Sequence, residues 1–341
     1  MKVKQILYRV KELINLKNFS GNFNALCGKT LYPIFPYLKF VIEKSRWKSD
    51  LYTLYNFYRW ASVENFWITR FIEQNKLNKL KTKIDFFSVF WPRKMVNFST
   101  NFKIFYTWEP VARDMYFEYN DYCLNDVDLS IWFREYEWID NYYRFPQRLT
   151  NSLVLPEETE FKYIKNTLQQ IESEKIYLKN RKKFCALISR HDDIMETRYS
   201  TYKRLSTIWT ILCPWRFLHN DDANIPGHLD KINYLKNFKF NICPENHLDK
   251  WYVTEKLIDS LKAWCIPVYN GIFWDLEEKV FNKERILFID NDLEKKVSKL
   301  NSLDSYYIDF INQPIFKKDA DSYIYEQING FMKKLKESLW R

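Results

Sequence analysis

Lys256 lies in the first turn of a segment that reads as a helix, where free backbone N–H groups and the positive end of the helix dipole favour an anion. A phosphate suits that position. Glu255 beside it carries the opposite charge, which argues against a simple anion pocket and for a ribose or sugar hydroxyl contact alongside the phosphate. The surrounding residues form a strand–loop–helix–strand pattern. Phe238, Phe240 and Ile242 alternate with Lys239, Asn241 and Cys243, and Glu245 and Asn246 follow in a loop. Thr254 then offers an N-cap ahead of Leu257, Ile258 and Leu261, and Ile266-Pro267-Val268-Tyr269 restores extended chain before Gly271. That is half of a nucleotide-binding unit.

Composition narrows the class of nucleotide. Only five glycines occur (Gly21, Gly28, Gly227, Gly271 and Gly330), so neither a G-x-G-x-x-G turn nor a phosphate-cradling G-x-x-x-x-G-K-[ST] loop can be written. Dinucleotide oxidoreductases and P-loop enzymes are disfavoured. The net charge of +10 suits anionic partners: nucleic acid, an anionic lipid surface or a phosphorylated small molecule. The six cysteines (Cys27, Cys123, Cys185, Cys213, Cys243 and Cys265) make no C-x-x-C and read as buried thiols of a reducing compartment. Met1 to Lys17 is basic throughout, unlike a cleavable signal, and no apolar run approaches the roughly 20 residues that span a bilayer. The expected location is cytoplasmic, or peripheral on the cytoplasmic face of the inner membrane.

The elements that must position these residues fall into two α/β halves. Residues 1–45 read as a basic amphipathic extension, with Val3, Ile6, Leu7, Val10, Leu13 and Ile14 on one side, followed by a connector. A first domain is expected over 46–158, with a helix at 65–72 and strands at 84–90, 102–106 and 127–131. A second is expected over 159–322, with a helical linker near its start, strands at 183–188 and 286–289, and a helix through Arg198, Tyr202 and Leu205. An amphipathic helix, 323–341, closes the chain on Ile324, Ile328, Phe331, Leu335 and Leu339. Strands alternating with helices predict parallel sheets with sites at their carboxyl edges. No internal repeat is present.

The segment Phe240, Glu245-Asn246, Tyr252-Val253-Thr254-Glu255-Lys256, Pro267-Val268 and Gly271 resembles the signature of the GDP-fucose-dependent α1,3/4-fucosyltransferases, and its short spacing from Asn246 to Tyr252 is similar to the bacterial branch. The resemblance extends over roughly residues 60 to 320. It implies a GT-B architecture, two facing Rossmann-like domains with parallel sheets and a cleft between them. It also implies an inverting transfer of L-fucose from GDP-fucose that needs no metal and no cofactor. Glu109, at the end of Lys103-Ile104-Phe105-Tyr106-Thr107-Trp108-Glu109, matches the family's general base. Arg198 and Lys256 match the cations that hold the departing GDP, with Ser189 in the turn before the Arg198 helix. Asn246 and Glu255 would reach ribose and sugar hydroxyls, and Tyr252 and Thr254 belong to the donor pocket. Glu245 is either a donor residue or structural. Departures occur at Pro244, at Trp251 and in the Ser189-Arg190 turn.

On the acceptor side, Trp108 and Trp132 offer flat faces for a sugar ring, and Arg144 lies in the family's Arg-x-Pro spacing. The implied acceptor is an oligosaccharide or glycolipid hydroxyl in surface-glycan synthesis, with the basic termini resting on anionic lipid. Two D-x-D triplets, Asp126-Val127-Asp128 and Asp290-Asn291-Asp292, invite a rival reading as a metal-dependent transferase. A non-enzymatic reading, binding glycan or single-stranded nucleic acid through basic and aromatic residues, lacks any recognition-module motif. The histidines His191, His219, His228 and His247 form no ligand spacing.

Overall fold

The computed structural model describes residues 37, 39–41, 43, 48–58, 61–90, 92–111, 114–136, 139–146, 152–174, 181–193, 195–274 and 276–340. The basic stretch Met1 to Lys17, most of the connector after it and Cys27 lie outside these residues. Two five-stranded sheets carry the fold, and every strand pair in both is parallel. The first runs in simple sequence order: β1 (Tyr52–Tyr55), β2 (Ile84–Phe87), β3 (Phe102–Tyr106), β4 (Leu129–Trp132) and β5 (Tyr142–Arg144). The second has the order β10-β9-β8-β6-β7, from β6 (Lys183–Ala186), β7 (Ile211–Leu212), β8 (Phe238–Ile242), β9 (Ile266–Tyr269) and β10 (Leu287–Phe288).

Alternation along the first sheet builds two cores. Leu54, Phe86, Ile104 and Ile131 enter one, which α1 (Trp67–Gln74) covers with Trp67, Ile68 and Phe71. Tyr55, Phe87, Phe105 and Trp132 enter the other, which short 3-10 turns close with Met95, Val96, Tyr116 and Tyr119. Both faces are therefore covered, as an all-parallel sheet requires. The expected strand at 127–131 begins two residues late, because the Asp128 carboxylate accepts from the Lys103 amide (2.7 Å) at the sheet margin.

The second sheet is wrapped by α2 (Phe161–Ser173), α3 (Thr197–Ser206), α4 (His228–Leu235), α5 (Glu255–Lys262), α6 (Leu276–Val280), α7 (Leu293–Ser302) and α8 (Asp304–Ile311). The last helix, α9 (Ala320–Leu339), returns to the first half. Its buried stripe is the expected one: Ile324, Ile328, Phe331, Leu335 and Leu339. Phe331 stacks on Phe145 at 4.1 Å and on Phe71 at 5.6 Å, while the Tyr143 hydroxyl donates to the Gln327 carbonyl (3.4 Å). Gly330 permits this approach, since a Cβ there would collide with the Tyr143 hydroxyl. The two halves also meet through the Arg144 guanidinium and the buried Glu277 carboxylate of α6, 3.6 Å apart.

The aromatic junction makes α9 the strap between the halves. Phe331→Ala should destabilise the protein by about 3–5 kcal/mol, the usual cost of truncating a fully buried Phe. Urea unfolding followed by tryptophan fluorescence measures it, and a loss below about 1 kcal/mol would mean that α9 is not integral to the fold.

Candidate active site

Glu245 lies near the start of the loop after β8 with its side chain wholly buried, and four donors converge on its two oxygens. The Thr254 amide (2.8 Å) and the Tyr269 hydroxyl (2.9 Å) donate to Oε1, and the Thr254 hydroxyl (2.7 Å) and Lys256 Nζ (3.1 Å) donate to Oε2. Glu245 is thus the structural carboxylate, and it does not line the cleft. Thr254 sits at the expected N-cap position of α5 but its hydroxyl makes no capping bond, because Glu245 has captured it. Gly271 answers a steric need here: a Cβ would overlap the Tyr269 phenol that completes the cluster.

Lys256 emerges from this cluster into a cleft of about 460 Å³ at the carboxyl edge of the second sheet. Arg198 enters the same cleft from the start of α3. Its Nη1 donates to the His191 carbonyl (2.9 Å) and its Nη2 to the Asn246 side-chain oxygen (2.5 Å) and, at 3.4 Å, to the Pro244 carbonyl. A cation at a helix start is unfavourable by itself, and Asp193 compensates: its carboxylate accepts from the amides of Met195 (3.0 Å), Thr197 (3.1 Å) and Arg198 (2.9 Å). Ser189 holds the preceding turn by donating to the His191 carbonyl (2.6 Å). Ser189, Arg198, Asn246, Glu255 and Lys256 all line the cleft, as do Arg190, Trp215, Lys231 and Asn241, which the sequence pattern did not single out.

Electrostatics keep the cations charged. Burial works against the Lys256 ammonium, but Glu245, Glu255 and the Tyr252 phenol outweigh it and hold Lys256 above its ordinary range. Burial would raise Glu255, yet Lys256, Lys231 and the helix amide hold it below the usual carboxylate range. Burial pulls Arg198 below the normal guanidinium value, against the neighbouring Asp193 and Glu245.

Several expected site residues have other positions. Tyr252 is buried against the first half, 5.1 Å from the Phe133 ring, and lies beneath the cleft rather than along it. Trp132 is also buried and cannot face an acceptor; its indole N–H donates to the Glu109 carbonyl (3.0 Å), so it supports that loop from inside. Arg144 is drawn inward, donating through Nε to the Phe133 carbonyl (3.0 Å) and facing Glu277. Trp108 remains partly exposed beside Tyr58, with ring centroids 4.6 Å apart. Glu109 follows β3 at the carboxyl edge of the first sheet, its amide donating to the Thr107 hydroxyl (3.1 Å). Its carboxylate is close enough to raise the phenols of both Tyr58 and Tyr252, each raised first by burial.

The two D-x-D triplets are engaged elsewhere. Asp126 pairs with Arg93 (2.5 Å), Asp128 binds the Lys103 amide, and Asp290 pairs with Lys296. Among the described residues no group of three or more His, Cys, Asp and Glu side chains is placed to hold a metal ion. The five described cysteines are buried and unpaired with one another.

Removing the hub of this arrangement should be costly. Glu245→Ala leaves the Lys256 ammonium and two hydroxyls without their buried acceptor, and should destabilise the protein by about 3–5 kcal/mol. Denaturant unfolding would show it, and near-wild-type stability would remove Glu245 from its central role.

Comparison with known proteins places this geometry. Residues 178–310 match the family model described as glycosyltransferase family 10 (fucosyltransferase) C-term. Over 262 residues, 70% of this chain, the sequence is 23% identical to an alpha-(1,3)-fucosyltransferase of Helicobacter pylori, and it spans about half, 52%, of that relative's length. A crystal structure of an alpha1,3-fucosyltransferase is similar with a TM-score of 0.57 and 18% identity, covering 86% of this chain and 92% of that one. One with GDP-fucose gives 0.52 and 18%, over 89% and 97%. The likeness to these structures is one of fold, the GT-B arrangement of two parallel-sheet halves. The Glu245 cluster, Arg198 and Lys256 all lie inside the residues over which the chain is similar to glycosyltransferase family 10, the fucosyltransferases.

Proposed function

We propose that this chain is an inverting, metal-independent glycosyltransferase moving L-fucose from GDP-fucose to a hydroxyl, O3 of N-acetylglucosamine or glucose, of a cell-surface glycan precursor. The observation that carries the reading is the convergence of Arg198 and Lys256, from the first turns of two helices, on one cleft at the carboxyl edge of the second sheet. Two cations and two helix N-termini suit a pyrophosphate. The choice of donor is supported by the similar fold of an alpha1,3-fucosyltransferase crystallised with GDP-fucose.

In the proposed reaction the Glu109 carboxylate accepts the proton of the acceptor hydroxyl while that oxygen attacks C1 of fucose. The bond from C1 to the β-phosphate oxygen breaks on the opposite face, which inverts the anomeric centre. GDP leaves as an anion, and Arg198 and Lys256 stabilise the charge that develops on it. Asn246, held by Arg198, and Glu255 meet ribose and sugar hydroxyls. Trp108 contributes an acceptor contact. The setting is lipopolysaccharide or capsule synthesis or protein glycosylation, in the cytoplasm or at the inner face of the inner membrane, with the basic termini against anionic lipid. No helix among the described residues is long and apolar enough to cross a membrane.

Calorimetric titration in EDTA should show binding of GDP and GDP-fucose and none of UDP-galactose, weakened by Lys256→Ala. Equal binding of GDP-mannose would assign the donor class without the sugar, and binding that requires a divalent ion would overturn the metal-free site. In the presence of an acceptor, Lys256→Ala or Arg198→Ala should lower turnover by roughly 100-fold or more. Glu109→Gln should lower it by about 10²–10⁴ while GDP-fucose affinity is retained; unchanged transfer would remove Glu109 as the base.

A further inference from the structure

At the amino edge of the second sheet, opposite the donor cleft, positive charge is sealed inside the protein. Arg285, two residues before β10, is fully buried, and its Nε, Nη1 and Nη2 have no hydrogen-bond partner among the described residues. Its guanidinium lies 5.5 Å from the Trp264 ring centroid and 6.0 Å from that of Phe310. Those rings can meet the flat faces of the cation but not its N–H edges. Arg181, leading into β6, is buried nearby. Its Nη1 donates to the Phe238 carbonyl (2.6 Å) and its Nη2 to the Ala263 carbonyl (2.5 Å), leaving Nε without a partner among the described residues. The Tyr307 hydroxyl of α8 is buried beside the Arg181 guanidinium, which lies within reach of its oxygen, and it finds no acceptor for its own proton among the described residues.

Among the described residues compensation is incomplete. Glu172 is the carboxylate that reaches Arg285, but its Oε1 accepts the amides of Ile315 (2.7 Å) and Phe316 (2.9 Å). Lys239 adds a further cation, 5.2 Å from the Tyr307 ring centroid. A guanidinium cannot escape by losing its proton, and an uncompensated buried cation is strongly unfavourable. The missing partner is therefore an acceptor with negative charge. Enclosure between Trp264 and Phe310 favours a weakly hydrated monovalent ion over phosphate, which would have to shed a tighter water shell.

We propose that Arg285, the Nε of Arg181 and the Tyr307 hydroxyl form a closed site for one small inorganic anion of the chloride type, which stabilises the donor-binding half from behind. The site is independent of the transfer reaction, and its test needs no sugar nucleotide. Wild-type protein melted in sodium gluconate, with chloride or bromide substituted at constant ionic strength, should show a saturable rise in Tm. Arg285→Met should lose that rise and, in gluconate alone, melt at or above the wild-type temperature, since an unpaired buried cation has been exchanged for an apolar chain. Should Arg285→Met fail to fold, Tyr307→Phe should fold and shift the bromide midpoint to higher concentration. Crystals grown in bromide should show anomalous density between Arg285 and Tyr307. A wild-type Tm indifferent to halide, an equal halide response in Arg285→Met, or water in place of bromide would each overturn the proposal.

Discussion

A single buried carboxylate sets the geometry on which the donor half depends. Glu245 is wholly buried, and a carboxylate at that depth needs several donors, since its desolvation far exceeds any one hydrogen bond. Its four donors come from three places in the chain: the amide and hydroxyl of Thr254, the ammonium of Lys256 and the phenol of Tyr269. Satisfying the carboxylate therefore fixes the start of α5, the end of β9 and the direction of Lys256 at once. The loop between Glu245 and Thr254 needs no regular structure of its own, because both of its ends are held on one side chain. A buried ion pair of this kind contributes little net stability against an apolar replacement. Its value here is positional, since no apolar contact would orient an ammonium group.

The relation of the two halves follows from packing rather than charge. Tyr252, part of the same signature, leaves the donor half and joins the aromatic core of the first, against Phe133. From the other direction α9 carries Phe331 onto Phe145 and Phe71. The chain thus crosses between its halves near the cleft and again far from it, and Arg144 with Glu277 adds a charged contact. Glu109 follows β3 of the first sheet and Lys256 opens α5 of the second, and Tyr252 is electrostatically coupled to both. The Tyr252–Phe133 contact ties the loop before α5 to the first half.

What is legible in the sequence is local. The alternation from Phe238 to Ile242, the run from Ile266 to Tyr269 and the helical spacing of Ile324 to Leu339 each appear as the elements they predict, because period and burial agree there. β1 is not legible: Tyr52–Tyr55 is buried at all four positions, as a strand covered on both faces is, and its aromatic surroundings show no alternation. The strands β5 and β7, of three and two residues, are too short to carry a period. Among site residues, the types and spacings that mark Arg198, Asn246, Glu255 and Lys256 lead to one cleft. Tyr252 and Trp132 turn inward because each is captured by a partner distant in sequence, Phe133 and Glu109, and Thr254, at its expected N-cap position, gives its hydroxyl to Glu245. Asp193 could have been found as an acidic residue just before a helix. Lys231 could not, because only the packing of α4 beside α5 brings its ammonium to Asp259 (2.8 Å) and the cleft.

The charge state of Lys256 limits what the cleft can do. A buried lysine in apolar surroundings loses its proton readily and can then act as a base or nucleophile. Here burial meets two carboxylates, Glu245 below and Glu255 beside, and the ammonium is held above its ordinary range. Lys256 is therefore unsuited to accept a proton at neutral pH and suited to remain a fixed positive charge. Arg198 reaches the same end differently, being a group that cannot deprotonate, aimed by the His191 carbonyl and Asn246. Neither cation has to be recruited when an anion arrives, so little reorganisation opposes charge development in the cleft. Under the proposed reaction the fixed cations stand on the second sheet and proton acceptance is assigned to Glu109, which follows β3 of the first.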